Sequence, residues 1–377
     1  MADASKIVVV KVGTSTLVDA NRQVDRAYLD TLAAQLAALR EAGWKPIVVT
    51  SAAIAAGLNA LEIEDRPTDI PSLQAAASVG QVVLSTAYAE ALAAHGVLTS
   101  VVLLTRHDTA SRSAYLHARD AFTRLLELGV VPIVNENDAT SVEQIRFGDN
   151  DTLAALVACL VKADLCVIFS DVEGLYDGNP AKTANVNLMK KVEKITPDIM
   201  AVAGGAGSKV GSGGMVTKLR AARVLMIAGI PMVVCNGREP DALVALCDQP
   251  VGEGPGTLFA SDTVPHEITG YKLWIALGDS AKGVLVVDDG AKRALERGGS
   301  SLLAVGVSDV RGEFAEGDIV DIEDARGNLF ARGKANAGSD EALLARGRSQ
   351  DQLAANRLLA HLAARPLVHR DELVVFE

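Results

Sequence analysis

Apolar runs rich in β-branched residues recur along the first two thirds of the chain, with helical patterns between them. Six such runs cover residues 6–12, 45–50, 99–104, 130–134, 164–169 and 230–234. Runs of this kind are typical of strands buried on both faces of a parallel sheet. Between the first two runs, one helix face is predicted by the regular spacing of Leu29, Leu32, Leu36 and Leu39. The alternation predicts an α/β fold, a doubly wound, mainly parallel sheet sandwiched by helices.

The pattern changes after residue 260. A polar stretch follows, and beyond it apolar and polar residues alternate in short segments between glycine-rich turns. Such alternation is typical of half-buried strands in a small β-barrel-like domain. We therefore predict a first domain at 1–260, a linker at 261–279 and a second domain at 280–377, and the length of 377 residues suffices for two cores.

Charge and apolarity restrict the partners. The net charge of −11 disfavours nucleic acid and anionic lipid, and residues 280–377 carry 13 Lys and Arg against 16 Asp and Glu. The N-terminal residues lack the pattern of a secretory signal, and the apolar stretch 153–169 is too short to span a bilayer. Three of the four cysteines, Cys159, Cys166 and Cys235, lie in apolar runs, as reduced core thiols do. We expect a cytoplasmic protein that contacts no membrane.

Small or polar residues lie at the ends of four of the predicted strands. These residues are Lys11, Gly13, Ser51, Asn135, Asp138, Ser170 and Asp171. Ligands of open parallel sheets bind beyond the carboxyl ends of the strands, so we expect a site at this edge. A lysine at the end of a buried strand either meets an anionic group or extends from the sheet edge into water.

A glycine-rich segment, GSGGMVTK at 211–218, precedes a helix that ends near Gly229. The free N–H groups of a helix start suit phosphate, although the segment matches neither the Walker nor the dinucleotide pattern. By itself it is equally compatible with a nucleotide site and with a flexible surface loop. Lys218 falls in the first helical turn, where a cation opposes the helix dipole, so we expect an anionic partner for it.

The run FGDNDTLAALVACL, residues 147–160, places Asp149, Asn150 and Asp151 at the start of an apolar helix. Asp149 could serve as the N-cap, but a cap needs one side chain and the run supplies three. Two lysines, glycine-rich backbone and several carboxylates together indicate phosphoryl transfer. Neither a hydrolase triad nor the Cys/His spacing of a metal site is evident, so Mg²⁺ would be held by substrate phosphates and carboxylates.

Several segments in order, VVVKVGTS, VVTSAAIAAG, VPIVNENDA, FGDNDTLAALVA, SDVEGLY and GSGGMVTK, resemble the glutamate 5-kinases of the amino acid kinase family, and the tail resembles a PUA domain. The resemblance implies transfer of the ATP γ-phosphoryl group to the side-chain carboxylate of L-glutamate, giving L-glutamyl 5-phosphate, the first step of proline biosynthesis. It also implies a homo-oligomer inhibited by proline.

The resemblance assigns roles residue by residue. Lys11 and Lys218 would stabilise the transferring phosphoryl group, and Asp149 and Asp151 would position these lysines or help hold Mg²⁺. The glutamate site would comprise Ser51, Asn135, Asp138 and Asn150, with Asp138 facing the ammonium. The ATP site would comprise Ser170, Asp171, Ser212, Gly213, Gly214, Met215, Val216, Thr217 and Lys218, with Lys11 also contacting ATP.

Some positions depart from the family pattern. Ala52 and Ser170 stand where glycine and threonine are usual, His117 stands where asparagine is usual, and 177–180 differ on the ATP side. The alanine-rich run 51–56 favours helix, so we predict an ordinary helical φ for Ala52. Two alternatives remain open: another kinase of this fold, acting on carbamate, aspartate, acetylglutamate or a nucleotide, and an RNA-binding protein, which the acidic tail disfavours.

Overall fold

The computed structural model describes residues 6–376 apart from residue 20 and the segments 106–111, 141–149, 179–184, 205–213, 262–269 and 278–280. The chain divides into two compact units, Met1–Glu267 and Ile268–Glu377.

The described residues of the first unit form an eight-stranded sheet. Its strands are β1 (Ile7–Val12), β2 (Lys45–Val49), β3 (Thr99–Leu104), β4 (Val131–Glu136), β5 (Leu165–Ser170), β6 (Lys191–Val192), β7 (Met232–Asn236) and β8 (Thr257–Phe259). They lie in the order β3-β4-β2-β1-β5-β7-β8-β6. All neighbouring pairs are parallel except β7 with β8, which confirms the predicted mainly parallel sheet.

Helices connect these strands. In chain order they are α1 (Thr14–Leu17), α2 (Arg26–Glu41), α3 (Ala53–Ala60), α4 (Ile70–Ala93), α5 (Arg112–Glu127), α6 (Asn150–Val161), α7 (Pro197–Gly204), α8 (Met215–Ile227) and α9 (Ala242–Asp248). None of the helices in the described ranges combines the length and apolarity needed to cross a membrane.

The core of this unit follows the predicted pattern. The four leucines of α2 are buried, as are Cys159, Cys166 and Cys235. Burial raises the pKa of the Cys159 and Cys235 thiols to about 12. Strand β3 differs from the prediction, because Val101 and Leu103 are 46% and 40% exposed. The strand lies at the edge of the sheet, so its apolar residues are not covered on both faces.

Helices α3 and α4 pack backbone to backbone. A Cβ atom on Gly57 would lie 1.7 Å from the carbonyl oxygen of Ala76, and one on Gly80 would lie 1.8 Å from that of Ala53. No side chain fits at these distances, so both glycines are required for the approach. The contact fixes the position of α4 beside the carboxyl end of β2.

The second unit has its own sheet and core. Its described strands are β9 (Gly283–Val287), β10 (Val307–Gly312), β11 (Ile319–Glu323), β12 (Leu329–Ala335) and β13 (Val368–Val375), in the order β10-β9-β11-β12-β13. Its helices are α10 (Gly270–Leu277), α11 (Asp289–Glu296), α12 (Ser339–Ala345), α13 (Gln350–Ala354) and α14 (Ala360–Ala363), with a 3₁₀ turn at Ala304–Gly306. Phe330 and Ile322 are fully buried within it.

Helix α10 falls inside the stretch predicted as a linker. Its Tyr271 hydroxyl donates to Glu372 Oε1 at 2.9 Å, and the Ala276 carbonyl oxygen accepts from Arg332 Nη1 at 3.4 Å. The helix is therefore an integral part of the second unit, whereas the predicted boundaries at 260 and 280 stay a prediction.

Candidate active site

The carboxyl ends of four neighbouring strands carry residues that the sequence singled out. Strands β4, β2, β1 and β5 are adjacent in that order. Lys11 lies near the end of β1, in register with Val49 of β2 and Ile168 of β5. Asn135 lies in β4 and Ser170 ends β5. The parallel arrangement thus brings these side chains to one edge of the sheet, as predicted.

Two lysines share one carboxylate at this edge. Lys11 Nζ lies 2.8 Å from Asp151 Oδ1, and Lys218 Nζ lies 3.1 Å from Asp151 Oδ2. All three residues are buried: Lys11 is 6% exposed, Asp151 0% and Lys218 4%. Asp151 is therefore the anionic partner expected for Lys218. It also pairs with Lys11, which does not reach water from the sheet edge.

The electrostatic balance keeps Asp151 ionised. Burial raises the pKa of this carboxyl, but the ammonium groups of Lys11 and Lys218 oppose that effect and hold the pKa well below its ordinary value. The Thr217 hydroxyl, 2.8 Å from Asp151 Oδ2, acts in the same direction. Two ammonium groups facing one carboxylate leave an excess of positive charge at the site.

Local backbone geometry places the lysines. Helix α6 begins at Asn150, so Asp151 lies in its first turn. Helix α8 begins after Gly214, its N-cap, and Lys218 follows within the next turn. A Cβ atom on Gly13 would lie 3.5 Å from Lys11 Nζ, so the glycine leaves space beside the ammonium. Nothing lies within 4 Å of such an atom on Gly214 in the described part of the chain.

An amide cluster lies beside these charges. Asn150 Nδ2 is 2.9 Å from Asn135 Oδ1 and 3.1 Å from Ser51 Oγ, and it also donates to the carbonyl oxygen of Thr50. Asn135 Nδ2 in turn donates to Gln81 Oε1 at 2.8 Å. The structure thus brings Ser51, Asn135 and Asn150, the proposed glutamate ligands, into direct contact.

Asp138 follows β4 and is half-buried. Burial raises the pKa of its carboxyl to about 6, and the charge of Arg66 partly offsets that rise. Within the described residues, no hydrogen bond joins Asp138 to the amide cluster. The carboxyl thus lies just beyond the end of β4 with a pKa raised above its ordinary value.

The predicted ATP residues are only partly described. Ser170 is buried, and its hydroxyl donates to Oδ1 of the exposed Asp171 at 3.1 Å. Thr217 Oγ also lies 2.7 Å from the Gly214 carbonyl oxygen. Gly214, Met215, Val216, Thr217 and Lys218 form the start of α8. Asp149, Ser212 and Gly213 lie outside the described residues.

The prediction for Ala52 is wrong. Its φ is 75° and its ψ is 9°, which is the left-handed region, and it is the N-cap of α3. Alanine-rich composition correctly indicated the helix at Ala53–Ala60, but it does not determine the residue at which the chain turns from strand into helix. The turn between β2 and α3 takes few residues, and Ala52 accommodates it with a conformation that favours glycine.

A protein metal site is not evident among the residues that the structure describes, where no group of three or more His, Cys, Asp or Glu side chains could hold an ion. Both oxygens of Asp151 are occupied by lysines. Of the two roles considered for Asp151, positioning the lysines is therefore the one that its contacts support.

Sequence reasoning missed the contribution of α4. Gln81 contacts Asn135, and Tyr88 OH lies 3.1 Å from Thr50 Oγ1. In the sequence, a glutamine within a predicted helix is indistinguishable from a solvent-facing one. Only the position of α4 against the strand ends reveals these contacts.

Comparison with known proteins identifies the family. The amino acid kinase family model matches residues 6–236, and the PUA domain model matches residues 283–355. A glutamate 5-kinase from Ralstonia pickettii is 42% identical, over 100% of this chain and 98% of the relative. Another, from Anaeromyxobacter dehalogenans, is 43% identical over 99% of this chain and 97% of the relative. This chain belongs to the glutamate 5-kinases of the amino acid kinase family.

The membership covers both units. A glutamate 5-kinase from Caldanaerobacter subterraneus is 39% identical over 98% of each chain, so the similarity is not confined to the first unit. The resemblance of the tail to a PUA domain is confirmed. The amino acid kinase fold and the PUA domain, both expected from the resemblance, are thus confirmed.

Proposed function

We propose that this chain phosphorylates the side-chain carboxylate of L-glutamate with ATP, giving L-glutamyl 5-phosphate, the first step of proline biosynthesis. The observation that carries the proposal is the buried group of Lys11, Asp151 and Lys218 beside the amide cluster of Ser51, Asn135 and Asn150. One part supplies charge for phosphoryl transfer, and the other supplies polar groups for an amino acid.

The chemistry requires positioning and positive charge. The glutamate carboxylate is already ionised at neutral pH, with an ordinary pKa of about 4.3, so no base is needed to activate it. One of its oxygens attacks the γ-phosphorus, a new O–P bond forms, and the bond from phosphorus to the β,γ-bridging oxygen breaks as ADP leaves.

Lys11 and Lys218 stabilise the negative charge of the phosphoryl group as it passes between the two oxygens. Asp151 holds both ammonium groups in position, which spares the reorganisation that free lysine side chains would require. Because Asp151 stays ionised and bonded to both lysines, it acts as a positioning group and transfers no proton.

The glutamate ligands would divide the substrate between them. Asp138, with a pKa near 6, is mostly ionised at neutral pH and suits the substrate ammonium. Asn150, Asn135 and Ser51 offer carboxamide and hydroxyl groups that orient the amino acid. These roles follow from the contacts within the cluster and from the chemistry of each side chain.

ATP would lie against Ser170, Asp171, Lys11 and the start of α8. By resemblance to the family, Ser212 and Gly213 would also contact ATP. The unpaired N–H groups at this helix start favour phosphate. Mg²⁺ held by the phosphates of ATP would supply further positive charge. The resemblance offers Asp149 and Asp151 as carboxylates that help to hold Mg²⁺. Because Asp151 already pairs with both lysines, we assign this role to Asp149.

Three further properties are proposed on the resemblance to the family: a homo-oligomeric assembly, feedback inhibition by proline, and a cytoplasmic location. The free, buried thiols of Cys159, Cys166 and Cys235 are compatible with a reducing compartment.

The test is a substrate panel with the purified protein and Mg·ATP, in which ADP release is followed with glutamate, aspartate, acetylglutamate, carbamate and a nucleoside monophosphate. Trapping the acyl phosphate with hydroxylamine identifies the product. Glutamate should give the highest kcat/KM, and proline should reduce the rate. A higher kcat/KM with another acceptor would show that this acceptor, and not glutamate, is the substrate.

A further inference from the structure

We propose that Gln81 is a positioning residue of the glutamate site, which fixes the direction in which the carboxamides of Asn135 and Asn150 point. The inference rests on the proposed function and concerns a residue of α4, outside the strand ends that carry the substrate ligands.

The hydrogen bonds form a directional chain. Gln81 Oε1 accepts from Asn135 Nδ2 at 2.8 Å, which leaves Asn135 Oδ1 to accept from Asn150 Nδ2 at 2.9 Å. A carboxamide has one accepting end and one donating end, so fixing one member of the chain fixes the next. Within the described residues, every hydrogen bond of the Asn150 side chain is made by Nδ2, and its Oδ1 therefore remains available to accept from a substrate ammonium.

A second contact from the same helix holds the neighbouring strand end. Tyr88 lies two turns after Gln81, and its hydroxyl is 3.1 Å from Thr50 Oγ1. The carbonyl oxygen of Thr50 is another acceptor for Asn150 Nδ2. Helix α4 is thus bonded to the ends of both β2 and β4, and Asn150 joins the two. Thr50, Tyr88 and Asn135 are each at most 1% exposed, so water does not compete for these bonds.

The backbone of α4 is itself restrained next to Gln81. Gly80 allows the close contact with α3 described above, and α3 begins directly after the Ser51–Ala52 turn. A polar group reaching a binding site from a helix held in this way is positioned more accurately than one on a loop.

The donor end of the Gln81 amide makes no hydrogen bond that would stabilise the fold of the described residues. Its Nε2 is buried and has no hydrogen-bond partner in the described part of the chain. An unpaired buried donor is unfavourable for folding, and such features are typical of functional sites. An apolar residue of the same length would remove this donor, but it would also leave Asn135 Nδ2 without its acceptor.

The test uses Gln81→Met in the full chain, with Gln74→Met as the matched control. Gln74 lies two turns earlier on α4 and has no side-chain hydrogen bond among the described residues. For Gln81→Met we expect the glutamate KM, and the glutamate Kd from calorimetry without ATP, to rise by about tenfold, the effect of one hydrogen bond. The ATP KM and kcat should stay within about threefold of wild type.

Gln81→Met removes the unpaired donor Gln81 Nε2 but leaves Asn135 Nδ2 unpaired in its place. The number of unpaired buried donors is therefore unchanged, and Tm should change by less than about 3 °C. Gln74→Met should change none of these quantities. An unchanged glutamate KM in Gln81→Met, with an active wild type, would overturn the inference alone. A wild type that does not use glutamate would overturn the proposed function and the inference together.

Two further variants separate positioning from a merely structural role. Gln81→Glu keeps an accepting oxygen for Asn135 Nδ2, so its glutamate KM should stay within about threefold of wild type. A KM as high as that of Gln81→Met would contradict the role of the acceptor.

If Gln81 acts through Asn135, the double variant Gln81→Met/Asn135→Ala should have the same glutamate KM as Asn135→Ala. Additive effects would show that Gln81 acts independently of Asn135, and the inference would be wrong.

Discussion

Lys11 Nζ lies 2.8 Å from Asp151 Oδ1, and the two side chains are 7% and 0% exposed. A buried ion pair of this kind contributes little net stability compared with apolar residues, yet removing one partner leaves an uncompensated charge. Asp151 pairs with Lys218 as well. It therefore supplies a counter-charge that holds both ammonium groups in the site before a phosphoryl group is bound.

Asp151→Asn should therefore affect both activity and stability. We expect kcat to fall by at least about 100-fold, because both lysines lose the group that positions them. Tm should also fall, since breaking a buried pair typically costs about 3–5 kcal/mol. Steady-state kinetics and thermal melts measure these effects.

The control for this variant is Glu193→Gln, which removes the exposed ion pair between Lys191 and Glu193. Surface pairs are worth up to about 1 kcal/mol, so both properties should be nearly unchanged. If Asp151→Asn kept kcat within about twofold of wild type, the positioning role would be refuted.

Lys11→Ala and Lys218→Ala should each lower kcat more than they raise the glutamate KM. The lysine charges match the transferring phosphoryl group rather than the amino acid, so their loss appears mainly in the chemical step. Initial rates over a range of glutamate concentrations, at saturating ATP, give the two parameters. A variant in which KM rises while kcat is retained would instead place that lysine at the glutamate site.

The polar ends of the strands were predictable because β-branched runs identify the strands and a parallel sheet aligns their carboxyl ends. That reasoning located Lys11, Ser51, Asn135 and Ser170. Strands β6 and β8, of two and three residues, are too short to produce a periodic signal. The resemblance left Asp151 with two roles, and only its distances to both lysines in the structure distinguish them.

Residues whose role depends on how helices and strands pack together could not be predicted from the sequence. Gln81 and Tyr88 reach the site because Gly57 and Gly80 let α3 and α4 touch, and that contact is not a local property of either helix. Ala52 was mispredicted for a related reason. Its backbone conformation is imposed by the connection from β2 to α3, which overrides the helix propensity of alanine.

Glutamate binding should weaken as pH falls through about 6. The pKa of Asp138 is raised to about 6 in the free protein, so its carboxylate is lost at a pH where glutamate itself remains ionised. Below that pH, the glutamate Kd should rise by up to about tenfold per unit. Calorimetry between pH 5 and 8 without ATP measures this and avoids the titration of ATP phosphates.

Asp138→Asn should bind glutamate weakly at every pH and show no inflection near 6. The same pKa shift acts oppositely on stability. Because the folded protein holds this proton more tightly than the unfolded chain, the contribution of Asp138 to stability is lost as pH rises from about 4 through 6. An inflection that persists in Asp138→Asn would assign the titration to another group.

Ala52→Gly should stabilise the protein, the reverse of what the helix propensity of alanine suggests. An alanine in the left-handed region is strained by about 1–2 kcal/mol, whereas the lost buried methyl contributes about 0.8 kcal/mol. The net gain of up to about 1 kcal/mol corresponds to a Tm increase of up to about 2 °C for a folding unit of this size. The matched variant Ala53→Gly, one residue into α3, should lower Tm because its backbone is helical.

Activity provides a second measurement on Ala52→Gly. The Ala52 side chain is buried and packs in the core, so we expect kcat/KM for glutamate to change by less than about tenfold. A larger increase would show that the methyl group obstructs the glutamate site. A Tm lowered as much as in Ala53→Gly would contradict the strain at Ala52.

A chain shortened to residues 1–267 should fold and phosphorylate glutamate. The first unit has its own sheet and core, and every residue assigned to the site precedes residue 219. Circular dichroism melts and ADP release with glutamate test the two statements. A folded but inactive product would show that the second unit contributes to catalysis.

The matched comparison is a chain ending at residue 255. It lacks β8, which pairs with β7 on one side and with β6 on the other. Its loss leaves β6 without a partner strand and exposes the edge of β7, and Phe259, fully buried in the longer chain, is removed with it. Deleting a buried phenylalanine side chain typically costs about 3–5 kcal/mol, so this shorter chain should melt at a clearly lower temperature than residues 1–267. Equal melting temperatures for the two would mean that β8 is dispensable, and the boundary of the kinase domain would then lie before residue 257.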